Sequence, residues 1–370
     1  MTSSEKDRPV NWKQAFVLNL TTFDKSQLRL STGVRVGILL IIPLVIGLET
    51  NSPQFAILVS LGVLNLSMPE GSATNWSLRR TLSITCLANA SAIAIGTIIG
   101  TTGLASLVFL GLGFFLLSYL RVFHDSTPML FTASILFSIG IGFPGESLSA
   151  SLDRFVFVLV GGLVGLGGAL VFSHFHPDTR KPFSQNSSNQ IETCRVSLRE
   201  RFRPFTNDFT FKTHHFRFSL AFAVVGAAGL TVSLYLGINR DYWVIMTLAL
   251  LLLREKVSET MGYVTSRVLG TVLGSLVGVA IIVTIHNQWV FIGMIFIFAT
   301  IFYAIRRTNY VVGTFFITLF VLALVSLSNP GDASIAVARF VDTLIGAGIS
   351  LLTVLILISG DRSFSKTLWD

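Results

Sequence analysis

Charged residues are scarce in this chain. Asp, Glu, Lys and Arg make up 12% of its 370 residues, whereas 52% are hydrophobic. A soluble domain carries about 25% charged residues, so this composition excludes a water-soluble globular fold. It predicts an all-α polytopic membrane protein. The net charge of +8 does not indicate a nucleic-acid partner, because the basic residues stand between apolar runs rather than along one face.

Cysteine and the common catalytic motifs are also scarce. The chain has two cysteines, Cys86 in an apolar run and Cys194 in a polar one, which predicts neither a disulfide framework nor a zinc site. Gly-x-Ser-x-Gly, His-Glu-x-x-His and phosphate-binding motifs are missing from the sequence. We therefore predict that the chain is not an enzyme and has no catalytic residue, metal site or cofactor.

Long apolar runs dominate the remaining sequence. Each is roughly 15 to 25 residues long, enough to span or nearly span a bilayer. Twelve runs predict helices at 33–49, 54–69, 78–100, 104–121, 127–144, 152–173, 216–238, 242–254, 264–285, 289–305, 309–328 and 334–358. The runs at 54–69 and 242–254 are the shortest, and each fits either a full span or a half-buried segment. The runs form two sets of six, in domains 33–173 and 216–358.

Three polar segments complete the chain. Residues 1–32 contain an amphipathic stretch, Val10 to Leu30, which predicts an interfacial helix. A linker at 174–215 contains a basic amphipathic stretch at 191–205, and 359–370 form a tail. The first long apolar run begins only near Val34, which does not fit a cleaved signal peptide. Lys and Arg cluster in the loops of one side, so both termini are predicted to be cytoplasmic.

The two sets of six match each other. Arg80 aligns with Arg267 at an offset of 187 residues, and Arg121 with Arg306 and Arg154 with Arg339 at an offset of 185. Because six crossings are an even number, both repeats have the same orientation in the membrane. The sequence therefore predicts two parallel six-helix repeats.

The arginines support two interpretations. Arg80 and Arg267 are expected at cytoplasmic helix ends, where they either contact lipid phosphates and fix the topology or attract an organic anion. Arg154 and Arg339 are expected in the spans, where a charge is normally paired or functional. Asp342 lies three residues after Arg339, so the two form either a structural pair or a substrate and proton site. Phe157 is the counterpart of Asp342 in the first half.

The second half also resembles a known family. Its Tyr242-Trp243-Val motif, the run through Thr247, and Arg267-Val-Leu-Gly-Thr-Val-Leu-Gly are similar to the fusaric acid resistance and aromatic acid exporter family of bacterial inner-membrane proteins. In the weaker first half, Gln54-Phe55 stands for the aromatic pair. The resemblance implies an inner-membrane protein that exports small, often aromatic, carboxylates, driven by the proton gradient.

The prediction that combines these observations is a proton-coupled secondary exporter of small organic anions embedded in the lipid bilayer. Tyr242 and Trp243 either belong to an aromatic belt or stack on the substrate, and Asp342 is the expected coupling residue. The expected substrate-binding residues are Arg80, Arg154, Tyr242, Trp243, Arg267 and Arg339. A passive organic-anion channel and a non-transporting membrane scaffold or efflux-assembly subunit are the alternatives. A periplasmic adaptor protein and homo-oligomerisation stay open.

Overall fold

The computed structural model describes residues 23–70, 77–100, 105–123, 127–142, 147–175, 209–210, 213–235, 242–252, 257–328 and 331–360. Within these ranges all regular structure is helical, which confirms the predicted all-α polytopic fold. The described residues form twelve α-helices: α1 Leu30–Glu49, α2 Pro53–Ser67, α3 Leu78–Gly100, α4 Ala105–Tyr119, α5 Thr127–Gly142, α6 Leu148–Phe175, α7 His214–Tyr235, α8 Tyr242–Leu252, α9 Val257–Thr284, α10 Gln288–Ile305, α11 Tyr310–Ser326 and α12 Ser334–Gly360.

The helices differ in whether they can cross a bilayer alone. Seven are long and apolar enough: α1, α3, α6, α7, α9, α10 and α12. The other described helices, α2, α4, α5, α8 and α11, are shorter than the roughly 20 residues that a span needs. The shortest is α8, with 11 residues. Both runs that the sequence marks as short, now α2 and α8, therefore form short helices.

Asparagine side chains cap the N-termini of two helices in the second half. Asn287 accepts a hydrogen bond from the backbone N–H of Trp289 at the start of α10, and Asn309 accepts one from Val312 at the start of α11. Such caps satisfy backbone donors that have no partner within the helix. Because α10 ends at Ile305 and α11 begins at Tyr310, the connection between them is only four residues long.

Glycines bring helices into close contact, as their spacing predicts. A Cβ atom on Gly274 of α9 would lie 2.9 Å from Cβ of Thr318 and 3.0 Å from the carbonyl oxygen of Phe315, both on α11. Gly270 meets Thr314 of α11 in the same way. Small residues allow this approach in a bilayer, where lipid supplies no hydrophobic drive for helix association.

The chain divides into two packing units. Unit A comprises residues 1–41 and 236–370, and unit B comprises residues 42–235. In unit A the start of α1 lies against α10, where the Arg29 N–H donates to the carbonyl of Ala304 at 3.0 Å. In unit B, α7 lies against α4, with the rings of Phe114 and Phe222 4.9 Å apart. The first helix of each six-helix set thus packs, wholly or in part, with helices of the other set.

Part of the N-terminal prediction is wrong. Residues Lys25–Gln27 form a 3-10 helix, and the α-helix begins only at Leu30. The reason is local: the Asp24 carboxylate accepts hydrogen bonds from the backbone N–H and hydroxyl of Ser26 and so caps a new turn. The earlier part of the expected interfacial helix and the expected basic helix at 191–205 lie outside the described residues.

Candidate functional site

Helices α8 and α12 touch along a face that contains a glycine. A Cβ atom on Gly346 of α12 would lie 2.8 Å from Cβ of Thr247 and 3.1 Å from the carbonyl oxygen of Val244, both on α8. The missing side chain therefore lets the short helix α8 approach α12 closely. This contact positions the polar residues that come before Gly346 on α12 and those on α8.

Arg339 lies next to this contact, one side of its guanidinium covered by an aromatic ring. Its Cζ atom is 4.9 Å from the ring centroid of Trp243. The Arg339 side chain is only 1% exposed, and Trp243 is also buried. A desolvated cation–π contact contributes about 2 kcal/mol, and it holds the planar group in a fixed orientation.

Asp342 lies one helical turn after Arg339 on the same face of α12. It is 0% exposed and is the only buried acid among the side chains whose burial the structure describes. Thr343 is the next residue after Asp342, and Thr247 lies across the helix contact, against Gly346. Both threonines are buried. We call Trp243, Thr247, Arg339, Asp342 and Thr343 the α8–α12 site.

The α8–α12 site combines three chemical groups. The guanidinium of Arg339 offers a planar donor fork that matches a carboxylate. The carboxyl of Asp342 can hold or release a proton, and the indole of Trp243 adds an aromatic face. The two threonine hydroxyls donate to backbone carbonyls one turn back on their own helices, at 2.8 Å in each case. Together these groups are suited to an organic anion and a proton.

The equivalent contact in unit B fixes the register between the two halves. A Cβ atom on Gly161 of α6 would meet the carbonyl oxygen of Val59 on α2. Gly161 precedes Gly346, and Val59 precedes Val244, by the same 185 residues. At this register Leu58 corresponds to Trp243, so the sequence-based alignment of Gln54-Phe55 with Tyr242-Trp243 is wrong by three residues.

Unit B has a different set of side chains at this place. Arg154 is buried, like its counterpart Arg339, but its Nη1 atom donates to Thr97 Oγ1 of α3 at 3.0 Å. Phe157, the counterpart of Asp342, meets the ring of Phe55 edge-on at 5.3 Å. Unit B therefore has an arginine at this place without a neighbouring acid on its helix face.

Arg80 and Arg267 have different surroundings although the repeat aligns them. Arg80 is exposed in the first turn of α3, as expected for a helix end. Arg267 is 5% exposed and is the eleventh residue of α9, so its expected place at a helix end is wrong. The helix begins early because its polar turns from Val257 continue the hydrogen-bonded helix outside the apolar run. Tyr242 is the first residue of α8, and its side chain lies outside the described set.

Two hydroxyl residues of α9 were not singled out from the sequence. Thr271 and Ser275 follow Arg267 at intervals of four and are buried. Among the described residues, Arg267 Nε, Thr271 Oγ1 and Ser275 Oγ have no hydrogen-bond partner. Their four-residue spacing after Arg267 could have identified them in the sequence as polar residues on the same helix face. We call Arg267, Thr271 and Ser275 the α9 polar stripe.

Comparison with known families matches the second half of the chain. The sequence model of the family described as fusaric acid resistance protein-like matches residues 224–353. This range contains the α8–α12 site and the α9 polar stripe. The resemblance noted from the sequence is confirmed over these residues.

Several curated proteins are similar to part of the chain. An uncharacterized protein of Haemophilus influenzae is 30% identical over 146 residues, which are 40% of this chain and 20% of the relative. The inner membrane protein YccS of Escherichia coli is 27% identical over 173 residues, 47% of this chain and 24% of YccS. Uncharacterized protein ORF2 of Neisseria gonorrhoeae is 30% identical over 139 residues, 38% of this chain and 33% of ORF2. The matches thus cover a third or less of these relatives, and no solved structure matches significantly.

Proposed function

We propose that this chain, whose residues 224–353 carry a fusaric acid resistance protein-like domain, is a secondary transporter that exports small organic anions. The similarity to an Escherichia coli inner membrane protein supports a place in the bacterial inner membrane. The observation that carries the proposal is the buried Arg339, stacked on Trp243 and one turn from the buried Asp342, inside the matched domain.

The proposed substrate is a small carboxylate with an aromatic ring. Arg339 is the sixth residue of α12, and a cation inside a span has a free-energy cost that a partner normally offsets. The contact with Trp243 offsets about 2 kcal/mol of that cost, and an anion at the donor fork of Arg339 offsets more. An aromatic carboxylate supplies this anion, while its ring packs against the apolar walls of α8 and α12. Arg80 attracts the anion on the cytoplasmic side, where the termini also lie, and Arg267 adds positive charge within the matched domain.

Asp342 links anion binding to a proton. When Asp342 is ionised, its carboxylate neutralises Arg339 and competes with the substrate. When Asp342 is protonated, the substrate anion neutralises Arg339 instead, so the buried site has no net charge in either case. Substrate therefore binds more tightly as the pH falls, and each bound anion is accompanied by one proton. Export by this cycle follows the outward gradient of an acid that is more concentrated inside the cell, and so it differs from the export driven by the proton gradient that the family resemblance implies.

Among the described side chains, few other charged groups lie on the helices around Asp342. Helices α8, α9 and α11 pack against α12. Besides Arg339, the described charged or titratable side chains of these four helices are Arg267 on α9 and Tyr310 on α11. Arg267 adds positive charge and therefore favours an anion in the domain. The charge balance of the described side chains therefore depends mainly on Asp342 and the two arginines.

Efflux of labelled benzoate from proteoliposomes tests the proposal. The native chain is expected to release benzoate faster than protein-free liposomes, and Arg339→Gln is expected to remove the difference. A passive channel would carry a steady anion current that does not depend on pH. A scaffold would give no protein-dependent efflux, and Arg339→Gln would change only its abundance.

A further inference from the structure

The α9 polar stripe, formed by Arg267, Thr271 and Ser275, has a feature that packing does not explain. All three side chains are at least nine-tenths buried, yet Arg267 Nε, Thr271 Oγ1 and Ser275 Oγ lack a hydrogen-bond partner among the described residues. Buried polar groups in folded proteins are nearly always hydrogen-bonded. Three exceptions at intervals of four residues lie on one face of one helix.

Some other hydroxyl groups of the same unit are satisfied within their own helices, although Ser266, Thr300 and Ser326 also lack a partner among the described residues. Thr318 on α11 donates to the carbonyl of Thr314 at 2.8 Å, and Thr284 on α9 donates to Ala280. This bond to the preceding turn is the usual way for a helical threonine to satisfy its hydroxyl. The hydroxyls of Thr271 and Ser275 make no such bond. Thr314 Oγ1, on the helix that meets Gly270, also has no partner among the described residues.

The chemistry of the stripe indicates which type of ligand it would bind. An arginine side chain only donates hydrogen bonds, and a hydroxyl donates readily to a charged acceptor. Neither residue brings a negative charge, so the common partner is an anion. Residues eight positions apart on a helix are separated by roughly 12 Å. This distance exceeds the size of one carboxylate group, so the stripe offers successive positions rather than a single site.

We infer that the α9 polar stripe is an anion path, on which Arg267, Thr271 and Ser275 donate in turn to a desolvated carboxylate or small inorganic anion. This inference rests on the proposed function and adds to it a second set of substrate contacts. It predicts that the hydroxyls of Thr271 and Ser275 contribute to anion binding but not to the stability of the empty protein.

Two variants test this inference because binding and stability should change in opposite directions. Thr271→Val and Ser275→Ala each remove a hydroxyl with little change of shape. We expect each to weaken benzoate binding roughly tenfold, the loss of one hydrogen bond to a charged group. The unfolding temperature of the empty protein should stay the same or rise, because no internal bond is lost. Thr318→Val removes a buried hydroxyl that is already bonded, and it should leave binding unchanged.

The measurements are equilibrium dialysis of labelled benzoate and thermal unfolding, both on the full chain in lipid nanodiscs. Chloride serves as the inorganic anion and benzamide as the neutral analogue of benzoate. Competition by chloride supports a path open to inorganic anions, and weakened binding of benzoate alone supports a path for carboxylates. Binding of benzamide as tight as that of benzoate would overturn the inference, as would a lower unfolding temperature of Thr271→Val without weaker binding.

The inference and the proposed function can fail separately. If Arg339→Gln stops benzoate efflux while Thr271→Val and Ser275→Ala leave binding and efflux unchanged, the stripe holds no anion and the transport function stands. If both variants weaken binding but the native chain moves no acid, the anion stripe stands and the transport function fails.

Discussion

Arg154 and Arg339, which the repeat aligns, are both buried but have different neighbours. Arg339 lies over the ring of Trp243, whereas Arg154 donates a hydrogen bond to Thr97. At the register of the glycine contacts, Leu58 of unit B corresponds to Trp243 of unit A. The guanidinium plane is therefore essential to the contact of Arg339 and not to that of Arg154.

This difference predicts unequal effects of one conservative substitution. Arg339→Lys keeps the charge but loses the planar fork and the stacking on Trp243. We expect benzoate affinity to fall roughly tenfold or more, the loss of at least one hydrogen bond to a charged group. Equilibrium dialysis of labelled benzoate measures the effect.

Arg154→Lys is the matched control, because a lysine ammonium can also donate to the hydroxyl of Thr97. It should change benzoate affinity less than Arg339→Lys does. Equal losses in the two variants would show that charge alone matters at both positions, and the role of the Trp243 stack would be wrong.

At the scale of helices, the contact between α8 and α12 depends on Gly346. A Cβ atom there would lie within 2.8 Å of Thr247, so the helices must separate to accept it. We predict that Gly346→Ala lowers the free energy of unfolding by about 1–3 kcal/mol, the usual cost of overpacking. Chemical denaturation in detergent measures this change.

Gly348 on the same helix supplies the control, since a Cβ atom there meets nothing within 4 Å. Gly348→Ala should raise the free energy of unfolding by about 0.5–1 kcal/mol, because alanine favours a helix more than glycine does. If Gly346→Ala and Gly348→Ala changed the free energy of unfolding by the same amount and in the same direction, the close α8–α12 contact would be contradicted.

The sequence predicts which segments are helices better than it predicts where helices begin. Eleven of the twelve predicted helices begin within four residues of the observed starts, because apolar runs mark spans directly. The exception is α9, which begins at Val257 rather than 264. Hydropathy detects the apolar part of a helix but not the polar turns that extend it. For the same reason the sequence could not show that Arg267 lies well inside α9.

The side chains of the candidate site were predicted more completely than their contacts. In the sequence, a rare arginine three residues before an acid predicts Arg339 and Asp342 as site residues. The aromatic pair predicts Trp243 as a substrate contact. The stacking of Trp243 on Arg339 could not be predicted, because it depends on how α8 lies against α12, and the contact of Gly346 with Thr247 sets that arrangement.

At the scale of the whole molecule, the packing units do not coincide with the two sets of six helices. Residues up to Ile41 belong with the second half of the chain, and α7 belongs with the first. Both α1 and α7 carry glycines at their contacts, Gly33 against Thr300 and Gly226 against Phe114. Because the two sets resemble each other, their sequences alone do not reveal which set each first helix joins.

This arrangement predicts the behaviour of a divided chain. Fragments 1–190 and 191–370, expressed together, should purify as one complex through a tag on either fragment, because each contains a helix that packs with the other. Expressed alone, each fragment should be degraded or aggregate. Separate purification of two stable fragments would contradict the assignment of α1 and α7 to these units.

Efflux of labelled benzoate from proteoliposomes under an imposed pH gradient tests the central claim most directly. The native chain, Asp342→Asn and protein-free liposomes would be compared with the inside acidic, neutral or alkaline. We predict that acid inside accelerates protein-dependent efflux, by at most about tenfold per pH unit for one proton. Asp342→Asn, which is neutral at every pH, should carry benzoate at a rate that does not depend on the gradient. Native efflux that ignores the gradient, or that accelerates only when the outside is acidic, would contradict joint binding of proton and anion at Asp342 and Arg339.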